Sequence, residues 1–209
     1  MDEIIIEEED KSNFFKYLIA VFLIGIMVLM AIPYHWVDED LRPSYVPSLD
    51  EVLEGLDIDA ERLDSIYSVE GLVVSDELKI VASRVANGCE YGDVCYTRAF
   101  FYFVRDEINY ISDPDFEFIE NWEMVLTSGS ADCDGKSVFL VSLLKAVGID
   151  ARIVLVSGHA YVQAYLPDAL NGYKIEGNWV NLDAACRDCD FGDIDGNYLD
   201  NIIDYIYVG

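Results

Sequence analysis

The feature that most constrains this chain lies near its start: the run Tyr17 to Pro33, YLIAVFLIGIMVLMAIP, contains no charged residue. A segment with no polar face must enter a lipid bilayer or be buried whole. About 17 to 20 apolar residues just cross a hydrocarbon core. Phe14, Phe15 and Tyr17 on one side and Tyr34 and Trp36 on the other suit the two membrane interfaces. The competing reading is a cleaved signal peptide. Against it stand the acidic leader (Asp2, Glu3, Glu7, Glu8, Glu9, Asp10) and the lack of a clear small-x-small cleavage site. A buried core helix that is apolar all round fits the start of a small domain poorly. We therefore expect an acidic tail over 1–13, one transmembrane anchor over 14–36 in contact with the lipid bilayer, a spacer with a short helical segment over 37–75, and a globular domain over 76–209. Lys11 and Lys16 precede the span and only Arg42 follows shortly after it. That weak excess puts the N-terminus inside, leaving the domain extracytoplasmic on a single-pass protein of the cell membrane.

Charge excludes one class of partner. Forty Asp and Glu against 13 Lys and Arg give a net charge of −27, and a phosphate backbone needs clustered cations, so nucleic acid is not a partner. The acidity serves solubility or a salty environment, with attraction of basic substrates as the alternative. A hydrophobic content of 53% argues against disorder and for one well-packed domain.

Along that domain the pattern predicts a short helix over Glu51 to Leu63, a helix from Ser75 stopped by Gly88, and another over Thr97 to Ile111 ended by an Asp113-Pro114 turn. A loop rich in Glu and aromatic residues follows. A helix then opens at Cys133 and ends at Gly148, with Lys145 in its last turn. Its apolar residues fill more than one stripe, which makes it the central buried helix. Three strands come next: Ala151–Val156, His159–Leu166 and Gly177–Asp183. Period two sets His159, Tyr161, Gln163 and Tyr165 on one face of the second strand, and Trp179, Asn181 and Asp183 on one face of the third. If Leu166 pairs near Glu176, His159 lies opposite Asp183, with Cβ atoms about 5 Å apart.

Cys133 is the candidate nucleophile. At a helix mouth the first-turn N–H groups and the helix dipole favour a thiolate, the form that attacks carbonyls. Such a nucleophile needs a base, an orienter that holds the imidazole in one tautomer, and donors for the oxyanion. His159 is the candidate base, Asp183 the orienter, and the Cys133 N–H one oxyanion donor. The bland readings are a buried cysteine acting as a small hydrophobe and a satisfied polar histidine on a strand. Joint occurrence weighs against them, since the other histidine, His35, lies beside the apolar run.

The stretch SGSADCDGKSVFLVSLLKAVGIDARIVLV, followed by GHAYVQAYL and WVNLDAAC, resembles the transglutaminase-like superfamily of papain-type folds over roughly residues 76 to 185. VRDEINYISDP upstream is similar to the helix and turn that precede the cysteine in many members. The resemblance implies an α+β fold in which a central helix carrying Cys133 packs on an antiparallel sheet, with a Cys133, His159, Asp183 triad. It also implies acyl transfer or hydrolysis at peptide or glutamine amide bonds through a thioester, with a protein or peptide as substrate. No cofactor is expected. The alternative is a catalytically inactive interaction module held at the membrane.

Four cysteines remain. Outside the cytoplasm, Cys89, Cys95, Cys186 and Cys189 would form two disulfides and leave Cys133 as the odd free thiol. Facing the cytosol, the same four would hold a structural zinc, stay reduced or simply pack. The Asp-rich stretch DCDFGDIDGNYLD invites a calcium reading, but after Asp193 the Gly and Glu positions of an EF-hand loop are not met.

Overall fold

The computed structural model describes residues 7–58, 73–90, 92–112, 119–198 and 202–208, with the backbone alone for 7–12, 31–40 and 208. The chain divides into two compact units, Met1–Leu41 and Arg42–Gly209.

The first unit is one helix, α1 (Glu7–Asp40). At about 1.5 Å per residue, its 34 residues are longer than the expected span, because the acidic residues before it and the stretch after Pro33 continue the same helix. Within it, Asn13–Met30 has a mean hydropathy of 2.1 and none of that window is buried. It is a candidate membrane span or signal sequence by length and composition.

In the second unit, α2 (Leu49–Leu53) starts at a reciprocal cap, Ser48 Oγ accepting from the Glu51 amide while Glu51 Oε2 accepts from the Ser48 amide. It is shorter than the Glu51–Leu63 helix expected, since Gly55 turns the chain at φ +67°; residues 59–63 lie outside the described residues. Part of the expected spacer is fastened down: the Ser44 amide donates to Gly88 O at 2.8 Å, and Arg84 Nη1 to Val52 O at 2.6 Å. Gly88 permits this approach, because a Cβ there would stand 1.9 Å from Tyr45 O.

Helix α3 (Asp76–Val85) is capped by Ser75 and buries Leu78, Val81, Ala82 and Val85, one face at helical spacing. The Cys89–Cys95 disulfide joins the turn after it to α4 (Asp93–Glu107), which begins and ends four residues ahead of the expected Thr97–Ile111. Its end is set by β1 (Asn109–Tyr110), which pairs in parallel with β2 (Ser130–Ala131) and so takes backbone groups the helix would have needed. The expected Asp113-Pro114 turn lies outside the described residues. Between those two strands, where a loop was expected, stands α5 (Trp122–Ser128). Asn121 caps it, Trp122, Val125 and Leu126 are buried at i, i+3, i+4 spacing, and Gly129 closes it at φ +63°.

Helix α6 (Cys133–Ala146) is buried continuously from Gly135 to Leu144 and packs on α3, α4, α5 and three strands. The sheet runs β5-β4-β3-β6, with β3 (Ala151–Val156), β4 (His159–Tyr165), β5 (Trp179–Leu182) and β6 (Ile202–Val208), each pair antiparallel. The fold is thus α+β, a central helix on an antiparallel sheet. The register of β4 and β5 differs from expectation by two residues: Leu166 bonds to Asn178, and Gln163 pairs with Asn181. Gly177 and Asn178 at positive φ and a Lys174–Val180 bridge take up the slack in the connection. A shift of two preserves the faces, so His159 and Asp183 still share one. On that face Val154, Val156 and Tyr161 form a small second core under Ile194, Tyr198 and Tyr205.

Candidate active site

Cys133 is the first residue of α6, and Asp132 is the reason the helix begins there. Asp132 Oδ1 accepts from the amides of Asp134 at 2.9 Å and Gly135 at 3.1 Å, an N-cap that satisfies two of the helix's orphan donors. Gly135 is required by crowding, since a Cβ would meet Glu120 Oε2 at 2.5 Å and Ala131 Cβ at 2.8 Å.

The half-buried thiol donates to Asp134 Oδ1 at 3.6 Å and accepts from the Ala160 N–H of β4. Burial pushes its pKa up to about 12, and the Asp134 and Asp132 carboxylates add to the rise against the Ala160 N–H. The expected thiolate-favouring helix mouth is therefore reversed in the resting site. Burial is the main cause; in addition, Asp132 occupies the Asp134 and Gly135 amides, and the Asp134 and Asp132 carboxylates oppose a further negative charge on the sulfur.

His159 opens β4, and its Nε2 lies 3.0 Å from Asp183 Oδ2. Asp183 sits just past the end of β5 and is completely buried. The two are diagonal neighbours across the strands rather than directly opposed, a distance their side chains bridge. The carboxylate is held from two further sides, by the Cys186 amide on Oδ1 at 3.2 Å and the Asp195 amide on Oδ2 at 3.3 Å. A buried carboxylate with this many donors is held as an oriented acceptor. The Tyr198 ring stacks on the imidazole at 4.5 Å and 24°. With Nε2 committed to Asp183, Nδ1 is the nitrogen left for a thiol or substrate.

Three neighbours were not singled out from the sequence. Tyr198 comes from the tail read as solvated acids; nothing local marks it, because its partner ring is distant in the chain. Tyr110 is half exposed, and burial raises its pKa, with the charges of Cys133, Asp132 and Tyr198 adding to the rise. Lys136, three residues after the cysteine, is buried and donates through Nζ to Ala184 O at 3.1 Å and Arg105 O at 3.3 Å. Its signal was a lysine inside an apolar run.

The remaining cysteines are joined as Cys89–Cys95 and Cys186–Cys189, with Cα atoms 5.9 and 5.3 Å apart. Their sulfurs are thus bonded to one another rather than offered to zinc. Asp183, Cys186 and Cys189 bring ligand atoms within 4.8 Å, but the two sulfurs among them are one disulfide. In the Asp-rich stretch, Asp195 Oδ1 accepts from the amide and the side chain of Asn197, closing a turn.

Residues 80–184 match the transglutaminase-like superfamily. The chain belongs to that superfamily, a family of thiol enzymes. No curated protein matches it. Among solved structures it is similar to a candidate cysteine protease from Cytophaga hutchinsonii, with 18% identity and a TM-score of 0.42 over 69% of this chain and 46% of the other. The chain thus spans under half the length of that protein.

Proposed function

We propose that this protein is a membrane-anchored thiol enzyme that hydrolyses or transfers acyl groups at peptide or glutamine amide bonds. Cys133 is the nucleophile, His159 the base and Asp183 the orienter. The observation that carries the reading is the His159–Asp183 hydrogen bond, on a carboxylate with no exposed surface, next to the Ala160 N–H that touches the Cys133 sulfur. Because the resting thiol is held protonated, attack is coupled to proton transfer. As the C–S bond forms, His159 takes the thiol proton through Nδ1, and Asp183 stabilises the imidazolium. The oxyanion falls to the Cys133 N–H, the first-turn amide that Asp132 leaves open. Collapse breaks the C–N bond, His159 returns the proton to the departing amine, and a thioester on Cys133 remains for water or an amine to attack.

A single anchor in α1, with the domain outside the cytoplasm, fits this reading. Two disulfides suit an oxidising compartment, and neither includes the thiol that the chemistry needs.

The second reading, an interaction module without turnover, is favoured by one observation, the raised Cys133 pKa. Labelling of the full chain with a thiol-directed electrophile, followed by peptide mapping, tests both. The enzyme reading expects adducts at Cys133, none there in Cys133→Ala, and a rate roughly 100-fold lower in His159→Gln. Equal labelling of the wild type and His159→Gln supports the module instead.

A further inference from the structure

Lys136 is the one charged side chain in the buried run Gly135–Leu144, and only 3% of it is exposed. A leucine or methionine would fill that space without desolvating an ammonium, so what the lysine holds must account for its presence. It holds two backbone carbonyls from separate parts of the fold. Ala184 O, at 3.1 Å, belongs to the residue after Asp183; Arg105 O, at 3.3 Å, lies in the last turn of α4. The charged groups around it are Asp106 and Asp183, which favour its protonated form, and Arg105 and Arg187, which oppose it. Burial outweighs them all and lowers its pKa to about 8.

We propose that Lys136 is a positioning residue for the Asp183 carboxylate: its Nζ clasps Ala184 O to the helix that carries Cys133 and thereby fixes how Asp183 meets His159. This rests on the triad reading above. The simpler role, a positive charge near Asp183 and nothing more, makes the opposite prediction.

The test is the imidazole titration of His159 by NMR in the full chain in detergent micelles, with His159→Gln separating its signal from that of His35. Lys136→Met keeps the stem and the volume but removes the donors. If Asp183 stays in place, loss of a nearby cation raises the imidazole pKa; if Asp183 is released, the imidazolium loses its partner and the pKa falls. The expected result is a fall of about one pH unit in Lys136→Met, restored in Lys136→Arg. Alkylation of Cys133 at neutral pH should slow roughly tenfold alongside it. A rise, or no change, in the His159 titration overturns the proposal. Should Lys136→Met lose its cooperative melt, Lys136→Leu, which also lacks donors, carries the same comparison. Since the readout is His159 rather than turnover, a Cys133 inert in every variant counts against the thiol-enzyme reading, while the His159 titration still decides the role of Lys136.

Discussion

At the scale of single residues, Cys133 carries a pH signature that can be measured without a substrate. Its folded pKa of about 12 lies above the 9.0 of an ordinary thiol, so the folded chain keeps a proton that the unfolded chain gives up. The resulting stability is complete below pH 9 and drains away as pH climbs towards 12. Cys133→Ala lacks this contribution. The gap in melting temperature between wild type and Cys133→Ala should be constant up to about pH 8.5 and then move in favour of the variant; a gap that stays flat to pH 10.5 sinks the assignment. The pairing of His159 with Asp183 was legible in the sequence, because two alternating strands put them on one face, and Cys133 stood out as a cysteine before an apolar run. The direction of the thiol's pKa was not legible. It depends first on how deeply the fold buries the sulfur, and then on where Asp132 and Asp134 point. Lys136 left one signal, a lysine inside an apolar run, but its partners did not, since they are backbone carbonyls that carry no side-chain pattern.

At the scale of elements, the two disulfides have different jobs. Cys89–Cys95 joins the turn after α3 to α4, whereas Cys186–Cys189 closes the turn whose amide holds Asp183 Oδ1. Both loops are short, so the chain-entropy estimate for each is about 2 kcal/mol. Replacing either pair with serines should therefore lower stability by similar amounts. If Asp183 orients His159 as proposed, only the Cys186/Cys189 pair should also slow Cys133 alkylation, by roughly tenfold, because only it closes the turn that holds Asp183. Equal reactivity in the two double variants would show that the turn does not set Asp183. Elements with a full apolar face, α3 and α6, were legible. Helix α5 was not, since seven residues give barely two turns of pattern. Strand β6 was missed because the aspartates before it dominate the composition, while its pairing with β3 is a long-range choice.

At the scale of the whole molecule, an exposed apolar helix and a net charge of −27 sit on one chain. The full chain should sediment with membranes and resist alkaline carbonate extraction, whereas a chain beginning at Arg42 should remain in solution. Recovery of the full chain as a shortened soluble species cut after the apolar run would favour the signal-peptide reading. That the second unit begins at Arg42 was not legible, because VDEDLRPSYVPSLD looks like a linker by composition, while its partners, the Gly88 carbonyl for the Ser44 amide and the Glu107 carboxylate for the Leu49 amide, are distant in the chain.

The spacing of the bridges also bears on how the chain matures. Each joins cysteines close in sequence, separated by 6 and by 3 positions. Loop closure over so few residues is fast and needs little tertiary order. Both bridges can therefore close as the chain emerges, before the elements around α6 have packed. Cys133 lies far from all four partners along the sequence and becomes half-buried on packing. An oxidant acting early would meet two ready local pairs and a distant odd sulfur, an order of events that favours the observed pairing and leaves Cys133 free.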